Sequence, residues 1–495
     1  MVTTLAPRVG CLFLAAGGVL WAEPPRADSA SATAGRVVSV PAPHRPRQPV
    51  VAAEEEVYRF EPANNGAGPM WCHGSTCIVR SGARVLASGI ETLAAAKPLN
   101  NCLPLLFERT NDGWQLVYRG TGRTREPCPL ATFAAGPVFL SINPTRTEPD
   151  VPSGPAQPQI LQFDLDVPLV HRATLLPEWD GAPPFTEHSY RSLAADGARG
   201  ELILLQNIGY THAEWTFRDR HGNWAAHGQL RWPWGAEYDR PQPIRVCYPA
   251  VALKDRAVYF CGVSDIVEPY QAWREYKKQH TGKDWDYDFR RLFFTWSDDI
   301  TTGQFHAWVE VASRDQTCGW IFPSDLYVAP GGDVLVLWTE RALDERLRPR
   351  FFPSAKQRYA LECAVLRRGS IIRRTTLVEG GEGLGGAQPG TARFQVTEDG
   401  RLLVFYFVGG VDAQGNALAE NRLVEILPDG TLGDPVVVPL QRPLAAFFTA
   451  TVRAGCRPAP ILDVLGSADH TIRYAQIRLD EPAPHGPNRP APASP

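Results

Sequence analysis

Lysine is scarce in this chain. It occurs only at Lys97, Lys254, Lys277, Lys278, Lys283 and Lys356, so the basic residues are nearly all arginine. That bias resembles the codon use of a GC-rich genome, and it argues against reading every arginine as a ligand clamp. A strong net charge is also missing. The formal charge is −3, which suggests neither a nucleic-acid partner nor an acidic-tail role. Beyond a short N-terminal run, no segment is apolar enough to cross a bilayer, and long helical patterns are absent. There is no Gly-x-Ser-x-Gly elbow, HExxH pair, Walker loop, dinucleotide fingerprint or CxxCH haem attachment. No cofactor and no metal are expected. Glycine (43), proline (45) and tryptophan (14) are plentiful, as in chains of many short strands and turns. At 495 residues the chain is too long for one ordinary core.

The N-terminus reads MVTTLAPRVGCLFLAAGGVLWAEPP. Arg8, the apolar residues 9–21 and the small Ala22 form a secretory signal over residues 1–22, too short and glycine-rich for a comfortable membrane span. Cys11 opens the apolar run, where a lipoprotein cysteine would end it. The expectation is an exported bacterial protein, secreted or periplasmic, and a monomer. Residues 23–52 and 481–495 are rich in Pro and Ala and read as a disordered linker and tail. Removing Cys11 leaves nine cysteines in an oxidising compartment, so at least one thiol stays free. Cys72 and Cys77, in WCHGSTC, are expected to close a small loop; a metal reading with His73 is the weaker alternative. Cys247 and Cys261 flank a hairpin turn and are expected to bond across it. Cys102 and Cys128 are another candidate pair, and Cys318, Cys363 and Cys456 stay unassigned.

The rest repeats one plan. An apolar run ends in a Gly- or Asp-containing turn and a second run follows at once. STCIVRSGARVLASG, PLATFAAGPVFLSI, YRSLAADGARGELILLQ, AVALKDRAVYFCG, DLYVAPGGDVLVLW and RFQVTEDGRLLVFYFV are such pairs. Two more strands follow each. Four strands per unit of about 50 to 70 residues is a propeller blade. The expected fold is an all-β propeller over residues 53–480, seven blades favoured over six. The last unit (FFTATVRAG, APILDVLG, TIRYAQIRL) is one strand short, and EVYRF near the N-terminus is expected to complete it and close the ring. Residues 245–299 carry a long insertion after a hairpin, with a helix expected in EPYQAWREYKKQH, Pro269 in its first turn.

Three turns between third and fourth strands read TNDGW (110–114), DRHGNW (219–224) and SDDITTGQFHAW (297–308). They resemble the Asp-box, or BNR repeat, of sialidase-like propellers, in which Asp accepts bonds from turn N–H groups, Gly takes a positive φ and the aromatic packs on the next strand. The resemblance implies a six-bladed fold, glycan ligands and, in the family's enzymes, a retaining mechanism with an Arg triad, a Tyr–Glu pair and an Asp acid/base. The nearest match to the family's Arg-Ile-Pro is Arg125-Glu126-Pro127.

Fourth-to-first and second-to-third connections emerge on one face of a propeller, around the axis. Here the former carry polar residues in phase: Arg125; Glu187, His188 and Tyr190; Arg245 and Tyr248; Asp325; Arg393; Arg442. The second-to-third loops add Tyr210, His212, Asp265, Glu268 and Glu340. Arg offers a rigid donor fork to carboxylates and vicinal hydroxyls, so these residues are expected to bind a glycan or another polyhydroxylated or anionic small ligand. Trp232, Trp234, Trp273, Trp285 and Tyr287 supply rings on which sugars stack. Glu340, Glu268 and Asp265 are the candidate catalytic carboxylates, with Glu187 beside them, since glycoside cleavage needs two flanking the bond. Arg125, Arg245, Arg393, Glu340 and Glu268 are expected to share one axial pocket. The alternatives are structural ion pairs between blades and a non-catalytic face for a protein or surface polymer.

Overall fold

The computed structural model describes residues 48–134 and 136–479. The signal, most of the linker and the Pro-rich tail lie outside the described residues. Short alternating runs joined by tight turns build seven four-stranded antiparallel sheets. We number the blades by their inner strands: Ile78–Ser81, Leu130–Thr132, Ser192–Asp196, Val246–Lys254, Trp320–Val328, Ala387–Val396 and Phe447–Thr449. The chain is therefore a seven-bladed β-propeller, and the six blades implied by the sialidase-like resemblance do not apply.

Burial follows position within a blade. Inner strands such as Leu130–Thr132 are buried throughout, because both faces meet other elements. Outer strands such as Ser370–Gly381 alternate exposed and partly buried, one face on the next blade and one in water. Each interface between neighbouring blades has its own apolar cluster, so the ring has seven cores rather than one. Tight hairpins make this spacing work. Asp255 and Arg256 both have positive φ, as do Asp469 and His470, the signature of turns whose twist matches the strands.

The seventh blade closes as expected. Val50–Arg59 pairs antiparallel with Thr471–Arg478. Val50, Val51 and Ala52, placed in the linker by composition, belong to this strand. Tyr58 then stacks on Phe107 of blade 1 at 4.8 Å, and its hydroxyl accepts from Ile90 N at 3.0 Å. Gly89 leaves room for that ring, since a Cβ there would lie 2.7 Å from it. Glu55 pairs with Arg109 of blade 1 at 2.6 Å.

The expected disulfides are absent among the described residues, where every cysteine is free and buried. The turn at Asp255 and Arg256 sets Cys261 opposite Ala250, and a bulge at Tyr248 and Pro249 then leaves Cys247 opposite Val263. Cys72 Sγ donates to Arg191 O at 3.5 Å and Cys77 Sγ to Cys128 O at 3.9 Å, so the WCHGSTC loop is held by other partners. The helix of the blade 4 insertion, α1, spans Gln271–Thr281 with Tyr270 as N-cap, which leaves Pro269 before it rather than in its first turn. No helix among the described residues is long and apolar enough to cross a membrane.

The turns that suggested an Asp-box show the local chemistry unevenly. Asp219 accepts from His221 N and Asn223 N, both at 2.9 Å, and Asp299 accepts from Thr301 N at 2.9 Å. In the first turn Thr110 does this work, accepting from Asp112 N at 3.2 Å. Asp412, between the second and third strands of blade 6, makes the same bonds to Gln414 N and Asn416 N. The motif reports a generic Asx turn here.

Candidate functional site

The axis is filled. Before the first inner strand, residues 71–76 (WCHGST) cross it and touch the six other blades, Thr76 O accepting from Leu130 N of blade 2 at 2.9 Å. Cys72 and Ser75 bond to Arg191 O of blade 3. His73 packs edge-on against Phe322 of blade 5 at 4.7 Å. Gly74 lies against Pro249 of blade 4. Arg393 of blade 6 donates to His73 O at 2.8 Å, and Thr76 Oγ1 donates to Thr449 O of blade 7 at 2.8 Å. From the other side Arg453 meets this segment, donating to Gly74 O at 3.1 Å and pairing with Asp325 at 2.5 Å.

Above this plug lies a floor of half-buried rings. Trp71 packs on Tyr190 at 4.8 Å and on Tyr248 at 5.3 Å. Tyr248 reaches Tyr190, Phe322 and Phe289 at 5.4, 5.3 and 6.0 Å. Tyr190 (φ 44) and Tyr248 (φ 53) both hold left-handed backbone, which is costly for a bulky residue and is kept only where its surroundings enforce it. Glu126 enforces it for Tyr190, accepting from Ser189 N at 2.8 Å and Tyr190 N at 3.1 Å. For Tyr248 the bulge does so. Neither tyrosine hydroxyl bonds to a described residue. Burial raises both hydroxyl pKa values, so both are neutral donors. Burial, with help from Arg393, pushes His73 down to about 3, so its ring is neutral as well.

Two of the predicted arginines edge this floor. Arg125 lies 4.9 Å over Trp71 and pairs with Glu126 at 3.2 Å. Arg245 lies 3.9 Å over Tyr210 and 5.1 Å over Tyr190 and pairs with Asp265 at 3.0 Å. Tyr210 and Tyr287 bond hydroxyl to hydroxyl at 2.9 Å at the rim. Next to Tyr287 and Phe289 opens a cavity of about 480 Å3 between the insertion and blade 5, walled also by Trp285 and Trp320.

The other predicted residues do not join them. Arg393 is buried beneath the plug, on His73 O and Ser324 O. Asp325 is buried against Arg453 and accepts from Phe394 N at 2.8 Å. Arg442 is exposed, beside the closing strand, where Gln441 N donates to Glu54 at 2.8 Å. Glu340 points between blades 4 and 5, accepting from Trp338 Nε1 at 2.9 Å and pairing with Arg314 and Arg358. Glu187 is buried, accepting from Gly154 N at 3.0 Å, with His188 Nδ1 also at 3.0 Å; burial and Arg125 lower the pKa of His188. His212 sits between Thr211 and Glu214 at 2.7 and 3.0 Å. Trp232 is core, 6% exposed.

Glu268 anchors the insertion. It binds Arg290 at 2.9 Å and Lys277 of α1 at 2.7 Å. Burial alone would raise its pKa, but these cations outweigh it and hold the carboxyl at about 2, against an ordinary 4.5. A depressed carboxyl stabilises the fold above its ordinary pKa, and that share is lost as pH falls from about 4.5 towards 2. Glu268→Gln should therefore cost about 3 kcal/mol at pH 7 and much less at pH 3. Urea melts at both values check this, and an equal loss at both would refute it.

Trp71, His73, Phe289 and Phe322 were not singled out as binding residues. Trp71 and His73 stand just before the first inner strand, in phase with Tyr190 and Tyr248, so the phasing rule reaches them once WCHGST is read as an axial connection.

No family model and no curated protein matches the chain. Among solved structures it is similar to the α-L-arabinanase of Penicillium chrysogenum complexed with arabinobiose, at 11% identity and a TM-score of 0.41, covering 88% of this chain and 100% of that one. It is similar too to a puromycin-hydrolyzing peptidase of Mycobacterium tuberculosis, at 11% and 0.42, covering 88% and 56%. A Trypanosoma rangeli sialidase follows at 11% and 0.35, covering 74% and 57%. At this distance these likenesses say nothing of the chain's chemistry, which rests on its own residues.

Proposed function

We propose that the axial face binds a glycan on the aromatic floor and does not cleave it, in a protein exported from a bacterial cell. The observation that carries this is the pair of left-handed tyrosines, Tyr190 and Tyr248, whose half-buried rings lie beside Trp71 with neither hydroxyl bonded to a described residue. Sugars present C–H faces to such rings and hydroxyls to such donors. The floor favours a neutral sugar. Arg125 and Arg245 each carry a buried carboxylate partner already, so a ligand carboxylate meets little free positive charge.

Cleavage needs one carboxyl that holds a proton and a second free to attack or to activate water. Glu268, Asp265, Asp325, Glu187 and Glu340 are each buried and engaged. Parent protein, Trp71→Phe and Tyr248→Phe should be compared on a glycan array and with aryl glycosides. Neutral oligosaccharides should bind the parent. Tyr248→Phe should weaken them about fivefold, one hydrogen bond's worth, with an unchanged melting temperature. Turnover of any aryl glycoside would overturn the non-catalytic reading. Absence of glycan binding by the folded parent would leave the face to a protein or surface polymer.

A further inference from the structure

The far end of the axis holds a second cavity, of about 580 Å3, that the glycan face does not use. It sits where the inner strands of blades 3 to 6 end. The segment around Val452 and Cys456 of blade 7 closes it towards the axis, bonded across to blades 2 and 3 through Ala454 O with Thr132 N (2.7 Å) and Arg453 O with Ala195 N (2.9 Å). Above lies the Arg453–Asp325 pair, so the cup is blind. Its wall is mainly apolar, with Ala252, Tyr327, Val328 and Val396 among its residues.

The charges at the cup are unequally satisfied. Asp196 is occupied, accepting from Arg199 N at 3.1 Å and Asp255 N at 2.9 Å. Arg453 is held by Asp325. Lys254 is half-buried, and among the described residues its ammonium bonds only to a backbone carbonyl, Ala329 O, at 3.1 Å. By contrast Lys277 and Lys278 both have carboxylate partners, at 2.7 and 2.8 Å. Arg457, exposed at the rim, bonds to no described residue. A partly desolvated ammonium without a counter-ion is unfavourable. Here it stands over an apolar hollow that a second cation, Arg457, also lines.

We propose that this cup binds a small amphiphilic anion, with an apolar chain or ring on the wall and one carboxylate held by Lys254 and Arg457. Burial of the apolar body supplies the affinity, and the two cations select the charged head over a neutral one. The cup is independent of the aromatic floor, at the other end of the same strands.

Calorimetry on the full chain with octanoate and 1-octanol tests this. Octanoate should bind at one site, about tenfold or more tighter than 1-octanol. Lys254→Gln with Arg457→Gln should bring octanoate down to the level of 1-octanol. Ala198→Trp, an exposed position on the rim, should block both. Trp71→Phe should change neither. Thermal melts establish that each variant is folded. Octanoate binding indifferent to the double charge variant would overturn the assigned head-group site. Binding that survives Ala198→Trp, or no binding to the parent, would overturn the cup itself.

Discussion

Deletion of Val50–Arg59 should abolish cooperative melting. This strand is the fourth of blade 7, and it joins the two ends of the chain by a backbone ladder to Thr471–Arg478. Val57 is 8% exposed, and Tyr58 stacks on Phe107 across the blade 7–blade 1 interface. Burial of these two side chains is worth roughly 3 kcal/mol or more, and each ladder bond adds about 0.5–1.5 kcal/mol net. The sum approaches the whole stability of an ordinary domain, about 5–15 kcal/mol. Removal also bares the edge of Thr471–Arg478, an open invitation to pair with another chain. Tyr58→Phe is the milder control, losing only the bond from Ile90 N, about 1 kcal/mol. Circular dichroism and light scattering during a thermal ramp read both. A truncated chain that still melted sharply, within about 2 °C of the parent (the size of a ~2 kcal/mol change in a ring this large), would show that the ring does not depend on this closure.

That strand was legible in the sequence because two local signals agreed. A unit ended one strand short, and an unclaimed strand-like segment stood at the other end of the chain. Arg125, Tyr190, Arg245 and Tyr248 were legible for a related reason, since their phase before inner strands put them on one face. Glu340 had the right loop and the wrong side. Residues alternate across a strand, and only the register with Trp320–Val328 and Arg358–Arg367 sends its carboxylate between blades. The cysteine pairing failed at the turn, because the hairpin folds on Asp255 and Arg256 and so sets Cys261 opposite Ala250, and the bulge at Tyr248 and Pro249 moves Cys247 by only one place, to Val263. The axial plug was hidden because a loop's path depends on partners in six other blades. Its glycine is explicable only afterwards, as a Cβ on Gly74 would lie 2.1 Å from Pro249 O.

Replacement of Arg453 by Met should cost about 3–5 kcal/mol, because it strands the Asp325 carboxylate in a dry interior. Asp325 is 1% exposed and Arg453 5%. Arg453 also donates to Gly74 O and Val251 O, both at 3.1 Å, so one guanidinium ties the plug to blades 4, 5 and 7. Asp325→Asn/Arg453→Met removes both charges, and an Asn oxygen can still accept from Phe394 N as Asp325 does. The double variant should recover part of the loss, since it strands no carboxylate, while the buried Arg393, which also faces Asp325, keeps its charge without that counter-ion. Gly74→Ala tests the same centre by sterics and should destabilise comparably, its methyl group meeting backbone that cannot rotate away. Chemical denaturation of the four variants, with Asp325→Asn alone as the fourth, closes a double-mutant cycle. If Arg453→Met and the double variant lose equal stability, the charge pair does not lock the axis, and the plug is held by its backbone bonds alone.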